Sequence, residues 1–215
     1  MLKWLVTMNK SINKLEKRIL EISYKNKSAH IGSCLTAVGI IDKIYKKNEP
    51  KDKFILSNGH AFVALAVVLE KYEGKDAEEL AKRHGTHPTK NIKDGIWCST
   101  GSLGMGITIA LGMAIADRSK DIYVMVSDGE LSEGVCWEAL KIAGEQKLKN
   151  LKVVVNANGY STFGKIDTKI LNSRVQSFFP AKVVETNTFK YPGWLQGVPA
   201  HYVVIDEEKN KEVAK

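Results

Sequence analysis

The sequence has few cysteines and no long hydrophobic run. Its three cysteines, Cys34, Cys98 and Cys136, form no C-x-x-C pair, so we expect neither a disulfide framework nor a zinc site of ordinary spacing. Reduced cysteines are typical of the cytoplasm, where we expect the protein to reside. No apolar stretch approaches the ~20 residues of a membrane span, and the apolar run at the N-terminus is too short for a signal peptide.

Internal repeats, low-complexity segments and the two commonest nucleotide-binding fingerprints are also absent from the sequence. The glycine spacing matches neither a P-loop nor a Rossmann dinucleotide motif, which argues against those two nucleotide classes. The composition fits one ordinary globular domain, with 215 residues, of which 44% are hydrophobic and 26% charged. We therefore expect residues 1–215 to form a single domain.

The balance of charge is basic, with 32 Lys and Arg against 24 Asp and Glu and a net charge of +8. Such a balance favours anionic partners, which include phosphorylated small molecules, nucleic acid and membrane surfaces. No recognised nucleic-acid motif accompanies the charge, so we expect neither a nucleic-acid nor a membrane partner. A lysine-rich solvated surface explains much of the excess equally well.

Hydrophobic periodicity divides the chain into predicted helices and short buried strands. Within the helices, apolar residues recur every three to four positions. The predicted helices are 9–25, 34–47, 60–73, 77–84, 104–117 and 133–147. Short apolar runs predict strands at 122–126, 151–155, 183–184 and 202–205. The charged residues 206–215 are expected to fray.

The alternation of strands and helices in the second half predicts the fold class. A strand, a helix and a strand at this spacing form a βαβ unit with parallel strands and a right-handed crossover. We therefore predict an α/β fold with a doubly wound, mainly parallel sheet and helices on both faces. Residues 85–102 are rich in turn-formers, and a long irregular segment of this kind is often functional.

Polar residues follow two neighbouring predicted strands. Asp128 comes just after the strand 122–126, and Asn158 follows the strand 151–155. Because ligands bind beyond the carboxyl ends of parallel strands, the two side chains are expected to converge. A carboxylate, an amide and a backbone carbonyl oxygen suit Mg²⁺. The alternative is that Asp128 caps the next helix and that Asn158 forms an ordinary turn.

Glycines and histidines mark further candidate positions. The glycine-rich residues 100–106 open a predicted helix, where backbone N–H groups can approach an anion, although close helix packing explains the same glycines. His30, His60 and His87 lie at junctions between predicted elements, beside glycine or proline. There they would bind polyol or anionic substrates and move protons, although a lone histidine is more often structural or simply exposed.

In chain order, these segments resemble the N-terminal domain of transketolase, from about residue 10 to residue 168. The match at 56–61 is the family's L-S-N-G-H-A segment without a change. The other matches are residues 28–32 (S-G-H-x-G in the family), 87–88 (H-P of G-H-P), 100–106 (T-G-P-L-G-Q-G), 128–139 (D-G-E-L-x-E-G…W-E-A) and Asn158, which completes the thiamine diphosphate motif. Ser127 replaces the first glycine of the family's G-D-G.

The resemblance implies thiamine diphosphate and Mg²⁺ as cofactors, with Ca²⁺ or Mn²⁺ as substitutes for the magnesium. The metal ligands that it implies are Asp128, Asn158 and the backbone carbonyl of Tyr160. The implied cofactor-binding residues are His60, Gly101, Ser102, Leu103, Asp128, Gly129, Glu130 and Asn158. The implied catalytic residues are His30, His60, His87 and His201, of which His201 rests on the weakest match.

The implied activity is transfer of a two-carbon ketol unit from a ketose, phosphorylated or specialised, to an aldose acceptor. The sequence contains no counterpart of the pyrimidine-binding domain, which carries the glutamate that activates the cofactor ring. We therefore expect a partner subunit that carries this domain, in a heterotetramer with two copies of each chain. Glu133 and Glu138 resemble glutamates near the subunit interface.

The region after about residue 170 is shorter than the family pattern, and residues 188–193 match T-x-K-G-x-G only roughly.

Three alternatives remain open at the level of the sequence. The first is a subunit of another thiamine-diphosphate enzyme, similar to deoxyxylulose-phosphate synthase or to a 2-oxoacid dehydrogenase. The intact 56–61 segment and His30 favour transketolase over these. The second is a non-catalytic homologue that kept the fold, and the third, favoured only by charge, is a nucleic-acid-binding module.

Overall fold

The computed structural model describes residues 12–47 and 52–213. Its α-helices are α1 (Lys14–Lys25), α2 (Ile31–Tyr45), α3 (Phe62–Glu73), α4 (Ala77–His84), α5 (Met105–Ala116), α6 (Gly134–Glu145), α7 (Thr168–Phe178), α8 (Pro199–Tyr202) and α9 (Glu207–Val213). Its strands are β1 (Lys53–Leu56), β2 (Ile122–Ser127), β3 (Leu151–Ala157), β4 (Tyr160–Ser161), β5 (Gly164–Lys165) and β6 (Lys182–Glu185).

A four-stranded sheet in the order β1-β2-β3-β6 forms the centre of the described chain. All of its strand pairs are parallel, and the β2–β3 register runs from Ile122 opposite Leu151 to Ser127 opposite Asn156. The predicted mainly parallel α/β fold is therefore confirmed. Because the strands are parallel, the four loops that follow them emerge at one edge of the sheet, which we call the carboxyl edge. The strands β4 and β5 form a small separate hairpin.

Each face of the sheet has its own hydrophobic core. Met125 packs with α1 to α4 on one face, whereas Val124 and Val126 pack with α5 to α7 on the other. This division follows from the two-residue period of a strand, which sends alternate side chains to opposite faces. The strands are mostly apolar because helices cover both faces of the sheet.

The helices α1 to α6 lie where the sequence predicted them, with boundaries within a few residues of those observed. Residues 9–11 of the first predicted helix lie outside the described residues. The predicted strand at 183–184 is confirmed inside β6. Among the described residues, no helix is long and apolar enough to cross a membrane.

Two predictions in the C-terminal region were wrong. Instead of a strand at 202–205, the short helix α8 ends at Tyr202, because Pro199 in its first turn favours the helical conformation. Instead of fraying, residues 207–213 form α9, whose Val213 is buried against the first core. Residues 214–215 lie outside the described part of the chain.

Besides α8, α9 and the hairpin of β4 and β5, the strand β1 and the helix α7 were not predicted from the sequence. The strand β1 is only four residues long, which leaves little pattern to detect. The helix α7 begins at an N-cap, Asp167, whose carboxylate accepts hydrogen bonds from the N–H groups of Lys169 and Ile170, each at 3.0 Å.

Replacing Asp167 with alanine is expected to lower the free energy of unfolding by about 1 kcal/mol, because two N–H groups at the start of α7 lose their acceptor. Urea denaturation of the two proteins measures this difference. Asp167→Asn is the matched control and should lose less, since an asparagine oxygen can still cap the helix. Equal losses in both variants would contradict this account of the cap.

Candidate active site

Polar residues gather at the carboxyl edge of the sheet, in the loops that follow each parallel strand. The loop after β1 carries His60, the loop after β2 carries Asp128, and the loop after β3 carries Asn158. The loop after β6 carries Thr188, which lines a shared pocket with Asn158. The sheet thus brings together residues as far apart in the chain as His60 and Thr188.

Asp128 is a buried carboxylate that hydrogen-bonds to neutral backbone groups. It is 1% exposed, and its Oδ1 accepts from the N–H of Gly129 at 3.0 Å. Its Oδ2 accepts from the N–H of Gly159 at 2.6 Å, which ties the loop after β2 to the loop after β3. Burial raises the pKa of Asp128 to about 6. A divalent cation at this position would favour the ionised form that burial penalises.

The other two predicted metal ligands lie beside Asp128. The side-chain oxygen of Asn158 accepts from the N–H of Tyr160 at 2.9 Å, in a turn that Gly159 permits with its φ of 83°. A Cβ placed on Gly129 would lie 3.6 Å from the carbonyl oxygen of Tyr160, so this carbonyl faces the loop after β2. The available donors are a carboxylate, an amide and a carbonyl oxygen, a set that fits Mg²⁺.

This geometry predicts a pH dependence for metal binding. A metal must displace the proton of Asp128, whose pKa is about 6 in the metal-free chain, so affinity should be constant above neutral pH and should fall as the pH drops through 6. Below this pH the loss should approach about tenfold per unit. Calorimetric titration of Mn²⁺ between pH 5 and pH 8, without thiamine diphosphate, measures this dependence. A flat profile over that range would contradict the assignment.

Three of the predicted histidines form a cluster next to this position. The ring centroids of His30 and His60 are 5.0 Å apart, and those of His30 and His201 are 6.1 Å apart. The backbone N–H of His30 also donates to the carbonyl of His201 at 3.0 Å. Burial lowers the pKa of all three, that of His60 to about 3. At neutral pH the cluster therefore consists of uncharged imidazoles, each able to donate one hydrogen bond and to accept another.

His30 has two features that set it apart within the cluster. It adopts left-handed backbone angles, with a φ of 57°, directly before α2. This conformation is uncommon for a residue other than glycine and concentrates at functional positions. Its Nδ1 is buried and has no hydrogen-bond partner within the described residues. A ring nitrogen of this kind has a free hydrogen-bonding position to offer a ligand.

His87 lies in the irregular segment 85–102, close enough to this cluster to help lower the pKa of His30 and His60. His87 is exposed. A Cβ placed on Gly101 would lie 2.9 Å from the Cβ of His87, so the two residues are in close contact. The segment is held by Asp94, whose carboxylate accepts hydrogen bonds from Arg83 at 2.8 and 2.9 Å and lies 2.9 Å from Nε2 of His84. The irregular segment is therefore anchored to the end of α4 rather than loosely attached.

The glycine-rich segment at the start of α5 is packed more tightly than a free anion-binding loop. The N–H of Gly104 donates to Glu130 at 2.7 Å, and the N–H of Ile107 donates to the hydroxyl of Ser57 at 3.0 Å. A Cβ on Gly106 would lie 2.5 Å from the Cα of Ser57, so this glycine permits close packing. Just before these donors, Gly101, Ser102 and Leu103 are at least partly exposed and accessible to a ligand.

Glu130 faces the interior of the protein rather than solvent. It is fully buried, and burial raises its pKa to about 7. Its Oε1 accepts a hydrogen bond from the Ser57 hydroxyl at 2.6 Å as well as the one from Gly104. Ser127 accepts from the N–H of Glu130 at 3.1 Å, so the serine that replaces a family glycine stabilises the turn after β2. Neither Ser57 nor Ser127 was predicted as a site residue, although Ser57 lies in the matched segment 56–61 and Ser127 directly precedes Asp128.

A pocket opens between α2, α8 and the loops after β3 and β6. Its walls include Thr36, Asn158, Tyr160, Thr188, Phe189 and His201. Lys190, in the segment that roughly matches T-x-K-G-x-G, is not among the pocket residues. Its Nζ instead contacts both carboxylate oxygens of Glu16, at 2.8 and 2.7 Å, and so ties the loop after β6 to α1. Glu133 and Glu138 are both exposed, at the beginning of α6.

Known proteins are similar to this chain over most of its length. The family model described as transketolase, thiamine diphosphate binding domain, matches residues 8–186. An apulose-4-phosphate transketolase subunit from Phocaeicola vulgatus is 31% identical over 172 residues, which are 71% of this chain and 61% of that one. The equivalent protein from Actinobacillus succinogenes, with the same name, is 34% identical, over 70% of this chain and 64% of that one. The transketolase of Buchnera aphidicola is 32% identical, over 71% of this chain but 28% of that one.

Solved structures show the same fold. Transketolase from Leishmania mexicana superimposes with a TM-score of 0.71 at 24% identity, covering 94% of this chain and 41% of that one. The match thus spans less than two thirds of the length of these relatives. The family model nevertheless covers most of the chain and includes Asp128, Asn158 and the histidines His30, His60 and His87. The chain therefore belongs to the transketolase family, within its thiamine diphosphate binding domain.

Proposed function

We propose that this chain is the thiamine-diphosphate-binding subunit of a split transketolase. The enzyme would transfer a two-carbon ketol unit from a ketose or ketose phosphate to an aldose acceptor. The observation that carries the proposal is the convergence of the Asp128 loop, the Asn158 loop and the histidine cluster at one carboxyl edge. An oxygen-rich metal position beside a group of neutral imidazoles suits a diphosphate cofactor with a polyol substrate.

The residues at this edge fit the cofactor. Asp128, Asn158 and the carbonyl of Tyr160 would hold Mg²⁺, which in turn binds diphosphate oxygens. The partly exposed backbone of Gly101, Ser102 and Leu103 would line the diphosphate, with Gly129 and His60 close by. When bound, the cofactor supplies an electron sink for the carbanion that forms on ketose cleavage. The protein contributes position and electrostatics.

The histidines would bind and orient the sugar. His30, His60 and His201 are neutral at the pH of the cell because burial lowers their pKa values. A neutral imidazole can donate a hydrogen bond to a sugar oxygen and can also accept a proton from a hydroxyl group. His87, which is exposed, would contact the substrate from the irregular segment 85–102. Membership of the transketolase family favours ketol transfer over the reactions of the other thiamine-diphosphate enzymes.

The pyrimidine-binding domain would come from a partner subunit. Two of the relatives are named as one subunit of a transketolase, which supports a two-part enzyme. We propose that residues 1–215 form one domain and that two copies assemble with two copies of the partner, with Glu133 and Glu138 near the interface. The three cysteines are free and buried, which supports a reducing compartment such as the cytoplasm.

Reconstitution tests this proposal. The chain would be mixed with a candidate pyrimidine-domain subunit, Mg²⁺, thiamine diphosphate, a ketose phosphate and an aldose phosphate, and the product sugars followed by mass spectrometry. The expected result is ketol transfer only in the complete mixture, reduced at least about 100-fold by His60→Ala. Turnover by this chain alone would contradict the split arrangement. Cofactor binding without turnover in the complete complex would instead indicate a non-catalytic homologue.

A further inference from the structure

Glu130 connects three separate segments of the site through its carboxylate and its backbone. Its Oε1 accepts hydrogen bonds from Ser57, which is 73 residues away, and from the N–H of Gly104, which is 26 residues away. Its own N–H donates to Ser127 at the end of β2. Ser57 precedes His60 in the loop after β1, and Gly104 follows the partly exposed Gly101. His60 and residues 101–103 are at least partly exposed, whereas Glu130 itself is 0% exposed.

The position of this carboxylate explains how the start of α5 is stabilised. The N-terminus of a helix carries a partial positive charge and free N–H groups, which an anion can satisfy. At α5, which is 12 residues long, the acceptor is Glu130, bound to the Gly104 N–H directly and to the Ile107 N–H through the Ser57 hydroxyl. A diphosphate would therefore be bound beside this helix start rather than on these two donors.

We propose that Glu130 is a positioning residue that fixes the loop of His60 and the loop of Gly101 to Leu103 in the geometry that binds the cofactor, without touching the cofactor itself. The identity of that cofactor rests on the proposed function. Removal of the carboxylate leaves the buried Ser57 hydroxyl and the buried Gly104 N–H without their acceptor. An unsatisfied buried polar group costs free energy, so each group is expected to move to a position where water can hydrogen-bond to it. The two loops would loosen together because they share one anchor.

The first test needs no cofactor and uses hydrogen–deuterium exchange of the full chain. Glu130→Ala should speed exchange at least about tenfold in both 57–61 and 104–107. Glu130→Gln should leave both segments close to wild type, because its amide oxygen can still accept from Ser57 and Gly104. Unchanged exchange in either segment of Glu130→Ala would overturn the proposal.

Asn150→Ala is the matched control for a general loss of stability. Asn150 is buried at the opposite edge of the sheet, where its amide donates to the carbonyls of Ala114, Asp117 and Lys120 at 3.0 to 3.1 Å. Its removal should therefore destabilise the far end of α5 without affecting the anchor. Faster exchange of 57–61 in Asn150→Ala, matching that in Glu130→Ala, would reduce Glu130 to an ordinary structural residue and overturn the proposal.

The second test measures the dissociation constant of thiamine diphosphate at saturating Mg²⁺. It should rise at least about tenfold in Glu130→Ala and stay within about threefold of wild type in Glu130→Gln and Asn150→Ala. An unchanged constant in Glu130→Ala would overturn the positioning role while leaving the proposed function intact. If the wild-type chain binds no cofactor either alone or with the partner subunit, the proposed function fails and the exchange experiment alone decides whether Glu130 anchors the two loops.

Discussion

Asp128→Ala is expected to lower the affinity for thiamine diphosphate in the presence of Mg²⁺ at least about 100-fold. The substitution removes the carboxylate from a metal position whose other donors are neutral oxygens, so the metal loses its only charged protein ligand in the proposed set. The diphosphate then loses the cation that joins it to the protein. Thermal unfolding with and without the ligands provides the measurement, because ligand at 100 times its dissociation constant adds about 2.7 kcal/mol of stability.

The control for this variant is Asp167→Ala, which removes a carboxylate from the start of α7 instead. Both variants lose one acidic side chain, but the carboxylate of Asp167 accepts hydrogen bonds from N–H groups of its own helix. The wild type and Asp167→Ala should show the full shift in Tm on addition of both ligands, and Asp128→Ala should show none. A full shift in Asp128→Ala would place the metal elsewhere.

Gly106→Ala is expected to destabilise the chain by about 1–3 kcal/mol. Its Cβ would lie 2.5 Å from the Cα and 2.6 Å from the Oγ of Ser57, and the Cα is a backbone atom that cannot turn away. The start of α5 would have to move off the end of β1, a form of overpacking that costs about 1–3 kcal/mol or more. It would also stretch the hydrogen bond from Ile107 to Ser57. Urea denaturation measures the loss.

Gly112→Ala, in the same helix, is the matched control for this effect. A Cβ at Gly112 would meet no atom within 4 Å, so the alanine should raise the free energy of unfolding by up to about 1 kcal/mol through its higher helix propensity. The two variants should therefore change stability in opposite directions. A neutral or stabilising effect of Gly106→Ala would show that α5 does not pack against Ser57 as described.

The sequence predicted elements well where local signals agreed. The helix at 77–84 was located to the residue, because Asp76 caps its start and Gly85 follows its end. The apolar run at 202–205 gave a wrong prediction because no strand of the described part of the chain pairs with it, while Pro199 begins a helical turn. A strand needs a partner distant in sequence, and a local apolar pattern carries no information about that partner.

The same distinction between local and distant signals holds for the site. Asp128 and Asn158 could be placed together from the sequence because each follows a strand of one βαβ unit, and the topology alone brings them to one edge. The anchor between Ser57 and Glu130 could not be predicted, since the two residues are 73 positions apart and their motifs carry no information about a contact between them. The inward direction of Glu130 likewise depends on the packing of α5, which only the structure shows.

The most direct test of the central claim is calorimetric titration of the wild-type chain with thiamine diphosphate and, separately, with thiamine. If the chain binds the cofactor through a metal at Asp128, thiamine diphosphate should bind saturably with one site per chain in Mg²⁺. Binding should disappear when a chelator removes the metal, and thiamine, which has no diphosphate, should bind at least about 100-fold more weakly. Equal affinity for thiamine, or binding of thiamine diphosphate that does not depend on metal, would contradict the account.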